Sequence, residues 1–178
     1  MKHQYMTTMF KPAVKNLVSN GNFANGTTGW TIINSSIDNT DGMLQVTSTT
    51  TVTTGYAGQS VTFATNDKVY FRVKYELLTN LTAVNSYVGI RTWAASAGNV
   101  VFKTGVHPAG TTGTLSGIKT IVDGALYTQM LLSVYDTTIP VICKFDDAGC
   151  VNLTTLFGAG NEPTLAWCDA NIAPFIVY

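Results

Sequence analysis

Bond-making chemistry needs a few residue types held at particular spacings, and this chain is short of most of them. Its two histidines, His3 and His107, lack the spacing of a paired metal site. It has only two glutamates, Glu76 and Glu162. A glycosidase sets two carboxyl groups on opposite sides of the scissile bond. Asp146 and Asp147 are adjacent, and neighbours on a strand point to opposite faces, so they do not form such a pair. Gly158-Ala159-Gly160 is a fragment of a phosphate-binding loop. It lacks the third glycine, and Pro163 stands where a cofactor helix would begin. No GxSxG, HExxH or GxxxxGK[ST] pattern occurs. The residues point away from an enzyme and toward binding.

Binding chemistry is better represented. Tyr87, Arg91 and Trp93 fall on one face of a strand-like run, and Tyr70, Arg72 and Lys74 on one face of another. Sugars present C–H faces that stack on aromatic rings, and their hydroxyls bond to Arg, Lys and Asn nearby. Tyr, Trp and Arg are also enriched where proteins meet, so a subunit interface is the competing expectation for the same residues. Phe23 and Trp30 flank an Asn/Gly-rich loop, either as a sugar platform or as a plug closing one end of the fold. The plug is the simpler expectation, because glycine lets backbone fold over the rings.

These side chains must be carried by strands. Thr, Val, Tyr and Phe favour pleated sheet, and the chain has 28 Thr, 13 Asn and 16 Gly. In Lys68–Leu77, Val69, Phe71, Val73, Tyr75 and Leu77 alternate with Tyr70, Arg72, Lys74 and Glu76. Tyr87–Trp93 alternates likewise. Further runs are Trp30–Ile37, Met43–Ser48, Gln59–Thr65, Asn99–Thr104, Thr112–Val122, Ala125–Tyr135 and Ile139–Phe145, separated by turns rich in Gly, Asn and Asp. About ten short strands in one domain-sized chain predict an all-β sandwich or barrel. The exception is the C-terminus, where Pro163 and Thr164 open a short helix over Leu165–Asn171 that Pro174 ends.

Composition closes off other classes. Ten Lys+Arg balance ten Asp+Glu, so nothing offers the basic surplus that nucleic-acid binding requires. Only 11% of residues are charged while 46% are hydrophobic, the reverse of a disordered chain. No apolar run reaches the roughly 18 residues of a membrane span, and the N-terminus lacks the apolar core of a secretory signal. Cys143, Cys150 and Cys168 leave room for one bridge at most, and buried free thiols are the simpler expectation. Sequons at Asn25, Asn34, Asn80 and Asn152 are about what a Thr-rich chain has by chance.

Two segments resemble known families. NLVSNGNFANGTTGW (16–30) is similar to the opening of carbohydrate-binding-module jelly rolls, and Gln59-Ser60-Val61 with the strand after it resembles their next part. VNLTTLFGAGNEPTLAWCDANIAPF (151–175) resembles a C-terminal element of bacteriophage tail and minor structural proteins, preceded there by a strand like Phe145-Asp146-Asp147. The resemblance implies an all-β jelly-roll β-sandwich with a short C-terminal helix. It also implies an arm over 1–15, the sandwich over 16–150 and a clasp over 151–178. The implied protein is a non-enzymatic phage virion component, a decoration or accessory protein of capsid or tail. It would be made in the host cytoplasm, form a homo-oligomer with virion partners, and have possible adhesion to cell-surface glycans. The alternative is a carbohydrate-binding module that stacks sugars on its aromatic residues. In the arm, Tyr5, Met6, Met9 and Phe10 are the candidate assembly contacts. In the clasp, Leu153, Phe157, Leu165 and Trp167 are the candidate anchors, with glycine needed in the loop Gly158–Asn161.

Such modules often hold a structural calcium. Asp146 or Asp147 is the candidate ligand here, and no other cofactor is implied. One departure bears on this, since the usual first-strand Glu is Ala24; in the C-terminal element the usual Asp before Leu-Thr is Asn152.

Overall fold

The computed structural model describes residues 14–49, 54–93, 98–124 and 129–178. The side chains of Trp93, Gly98 and Asn99 also lie outside the description, as do Tyr5, Met6, Met9 and Phe10 of the expected arm. In chain order the strands are β1 (Val14–Lys15), β2 (Thr31–Ile33), β3 (Ser35–Thr40), β4 (Met43–Ser48), β5 (Gly55–Ser60) and β6 (Lys68–Leu77). They continue with β7 (Tyr87–Trp93), β8 (Gly98–Thr104), β9 (Thr112–Thr120), β10 (Gln129–Tyr135) and β11 (Ile142–Asn152). Helices α1 (Leu153–Phe157) and α2 (Leu165–Asn171), a 3-10 turn (Ala173–Phe175) and β12 (Ile176–Val177) complete the chain.

Ten strands form two antiparallel five-stranded sheets, ordered β2-β5-β10-β7-β8 (sheet I) and β3-β4-β11-β6-β9 (sheet II). The fold is all-β, a jelly-roll β-sandwich. Period-2 alternation sends one set of side chains from each strand into the space between the sheets. Val69, Phe71, Val73, Tyr75 and Leu77 of β6 meet Val88 and Ile90 of β7 and Met130, Leu132 and Val134 of β10 in one core. Each such burial is worth about 1.5–3 kcal/mol. Phe23 and Trp30 close one end of that core, their ring centroids 5.4 Å apart, so the plug holds and the sugar platform does not.

Three local features depart from the pattern read off the sequence. The run Trp30–Ile37 is two strands, because Asn34 takes φ 51° and turns the chain from sheet I to sheet II. The strand expected over Gln59–Thr65 lies earlier, at β5, where Gly58 leaves room for Leu131 of β10 to lie against its backbone. The strand expected over Ile139–Phe145 runs on to Asn152 as β11. A bulge between Asp146 and Gly149 carries it past the Asp-Asp pair, with Asp147 at φ 50°.

The C-terminal segment folds back over sheet II. Tyr70, Val151, Leu153, Cys168, Ile172 and Ile176 form a second apolar cluster with Val14. β12 pairs in parallel with β1, at the end of the stretch expected to be an arm. All three cysteines are free and buried.

Candidate functional site

The six residues proposed for binding divide between the two outer faces of the sandwich, because β6 lies in sheet II and β7 in sheet I. The two outer faces differ in what they do with their polar groups.

On sheet II, Tyr70 is fully buried under the clasp and donates its hydroxyl hydrogen to Asp169 Oδ1 at 2.7 Å. Ser116 of β9 donates to the other oxygen of the same carboxylate at 3.1 Å. Burial, and then the Asp169 hydrogen bond, push the Tyr70 phenol well above its ordinary range. Arg72 lies against Gly149, where a Cβ would stand 3.2 Å from its Cγ and 2.7 Å from Ile176 Cδ1. Lys74 pairs with Asp147 at 2.6 Å.

The motif residues of 151–175 explain the seating of this clasp. Asn152 caps α1 by accepting from the Thr155 N–H at 2.9 Å, and its amide donates to Asp67 at 2.7 Å. Glu162 reaches back to accept from the Thr154 hydroxyl (2.8 Å), the Gly160 N–H (2.9 Å) and Lys68 (3.1 Å). The Thr154 hydroxyl, followed by these other donors, holds the Glu162 carboxyl down at about 2. Gly158 and Gly160 both take φ 84°, a region that disfavours a Cβ. Thr164 caps α2. The expected anchors need one correction. Leu153 is buried and Phe157 packs against the second cluster, but Leu165 and Trp167 are exposed. The inward contacts are Cys168 of α2 and its C-cap Ile172, four residues apart, and Trp167 sits beside them, edge-on to Phe157.

The carboxylates named for calcium lie on this same side. Asp147 faces Lys74, and Asp146 accepts its neighbour's N–H at 2.8 Å. Burial raises the Asp146 pKa, with the Asp147 charge adding to it while Lys74 and Arg72 act against it. Cations face these two acids, whereas calcium takes six to eight oxygens. Among the described residues no three His, Cys, Asp or Glu side chains gather as a metal site.

Sheet I presents the other arrangement. Its outer face takes Tyr56 and Gly58 from β5, Leu131, Ser133 and Tyr135 from β10, Tyr87, Gly89 and Arg91 from β7, and Phe102 from β8. Tyr87 stacks on Tyr135 with centroids 5.4 Å apart and meets Phe102 at 4.6 Å. Gly89 makes this possible, because a Cβ there would overlap the Phe102 ring. The Tyr87 hydroxyl shares a 2.8 Å hydrogen bond with Thr54. Arg91 donates through Nη1 to the Tyr56 hydroxyl (3.0 Å) and the Tyr87 hydroxyl (3.2 Å), its guanidinium carbon 5.5 Å from the Tyr56 ring centre. Burial is the leading reason that the Tyr87 pKa is raised.

Among the described residues three buried side-chain polar atoms lack a hydrogen-bond partner: Arg91 Nε and Ser133 Oγ on this face, and Arg72 Nε on the other. Tyr56 and Tyr135 were not singled out from the sequence. Only the strand order, which sets Tyr135 in register with Tyr87 and Ser133 in register with both Tyr56 and Gly89, brings them to the site. Trp93 closes β7 in register with Gln129, and its side chain lies outside the described residues.

No protein-family model matches the chain, and no curated protein matches its sequence. Solved structures match its fold. The CBM22-1 xylan-binding domain of Paenibacillus barcinonensis Xyn10C superposes with a TM-score of 0.59 at 18% identity, over 79% of this chain and 96% of that domain. A structure described as CBM4 gives 0.55 at 14% identity, over 73% and 99%. The K3 cleaved adhesin domain of Lys-gingipain from Porphyromonas gingivalis gives 0.51 at 10% identity, over 76% and 99%. The fold is therefore that of the carbohydrate-binding-module jelly rolls.

Proposed function

We propose that this chain is a non-catalytic binding module that holds glycan on the outer face of sheet I. The observation that carries the reading is the aromatic layer Tyr56, Tyr87, Phe102 and Tyr135, with Arg91 oriented among its hydroxyls. Tyr87, Phe102 and Tyr135 are half-buried beside a buried Tyr56, and the exposed parts of the rings with the tyrosine hydroxyls supply stacking and directed hydrogen bonds together. No strand of sheet I contains Asp or Glu, so the face has no strand-borne carboxylate for acid–base cleavage of a sugar. The fold shared with carbohydrate-binding modules supports the same reading.

The setting we propose is a phage particle, with the chain as a capsid or tail decoration. This half rests on the resemblance of 151–175 to the C-terminal element of phage structural proteins. The proposed partners are other virion proteins and further copies of the chain, met through Tyr5, Met6, Met9 and Phe10 of the arm.

A glycan array read with wild type and Tyr87→Ala tests the first half. Binding by wild type that Tyr87→Ala abolishes is expected, and silence from wild type removes the glycan reading. Co-sedimentation with purified particles tests the second half. A protein found only in the unsedimented fraction removes the virion setting and leaves the glycan reading intact.

A further inference from the structure

We infer that the sugar held on sheet I carries a carboxylate, as a uronate or a sialic acid does, and that Arg91 is the residue that recognises it. This rests on the glycan reading of that face and adds the class of sugar.

The first ground is charge. All ten acidic residues lie within the described part of the chain, and none is in a strand of sheet I. The ion pairs Lys68–Glu162, Lys74–Asp147 and Lys144–Asp41 all belong to sheet II, its turns or its clasp. Asp136, which directly follows β10, is 1% exposed and already accepts from Ser86 (2.6 Å), the Thr82 N–H (2.6 Å) and the Thr138 N–H (2.8 Å). Arg91 is thus a half-buried guanidinium with neutral partners only. A cation moved partly out of water without a counter-ion is unfavourable, and an anionic ligand relieves that.

The second ground is geometry. The two tyrosine hydroxyls engage only Nη1 of the guanidinium, and they fix its plane. Among the described residues Nε has no partner, as Arg72 Nε has none on the opposite face, and it is shielded from solvent, so a ligand must approach through the Nη groups. A guanidinium binds a carboxylate through two parallel N–H groups of its fork, and a neutral hydroxyl satisfies one of them.

Calorimetry on the full chain tests this with three probes: oligogalacturonate, oligosialic acid and neutral xylo-oligosaccharide. The expected result is that an acidic probe binds, that Arg91→Gln weakens it by about tenfold or more, and that added salt weakens it too. Tyr87→Phe keeps the ring but removes one hydroxyl orienting the guanidinium, and should weaken the acidic probe by a smaller factor. This second variant keeps the test decisive if Arg91→Gln does not fold, as judged by circular dichroism. Neutral xylo-oligosaccharide binding equally to wild type and Arg91→Gln, with no preference for the acidic probes, overturns the inference and leaves the glycan reading standing. An acidic probe indifferent to both substitutions also overturns it. No binding by any probe, with a silent array, removes both.

Discussion

Each outer face of the sandwich carries a tyrosine and an arginine on one strand, Tyr70 and Arg72 on β6, Tyr87 and Arg91 on β7, and the two pairs meet opposite fates. The clasp covers the first. Tyr70 is buried against Cys168 and Ile172, its hydroxyl is given to Asp169, and the neighbouring Lys74 is matched by Asp147. The second pair is held by other neutral side chains, and its positive charge stays unmatched. A tyrosine thus serves as structure where the clasp brings an acid to its hydroxyl, and as part of a candidate site where only neutral side chains and an arginine meet it.

The sharpest way to break this contrast is to truncate both tyrosines. Tyr70→Ala should cost about 3–5 kcal/mol in denaturant unfolding, because it empties a fully buried site under the clasp. Tyr87→Ala, at a half-buried position, should cost clearly less and act on glycan binding instead. Equal losses of stability would mean that sheet I's outer face is as structural as sheet II's. Next in size is Gly89→Ala, whose methyl group must push the Phe102 ring aside. About 1–3 kcal/mol is expected, with a changed near-UV signal from the tyrosine stack.

A smaller effect follows from Glu162. Its carboxyl sits at about 2 in the folded chain against an ordinary 4.5, so the stability it contributes is complete above about 4.5 and is lost as pH falls toward 2. The melting temperature should drop across that window, and Glu162→Gln should flatten the part of the drop that arises in the clasp. The smallest effects are expected at Lys74 and with calcium. Lys74→Ala breaks a surface pair worth about 0–1 kcal/mol. Calcium and a chelator should both leave thermal unfolding where it is; a rise with calcium that Asp146→Asn removes would restore the aspartate pair as ligands.

Much of the fold is written in local pattern. The alternation of Val69, Phe71, Val73, Tyr75 and Leu77 set β6 and its inward face, and the same rule set β7. Alternation says nothing of which sheet a strand joins, so it could not separate Tyr70, Arg72 and Lys74 from Tyr87 and Arg91. Nor could it show that a segment 99 residues away would cover Tyr70. Tyr56 was hidden because glycines on either side make β5 read as a turn, although Gly58 is where Leu131 packs. The pivot at Asn34 was hidden because a single left-handed residue leaves no periodic trace.

The buried thiols place reporters in both layers at once. Cys143 and Cys150 lie in the core between the sheets, and Cys168 lies on the buried face of α2. Burial, and then Asp169, bring the Cys168 thiol up to about 11, while burial holds the other two well above their ordinary value. Thiolate is the reactive form, so alkylation at mildly alkaline pH reads out how often each layer opens. Modification of Cys168 before the other two would time the peeling of the C-terminal cover from an intact sandwich, with no label added to the natural sequence.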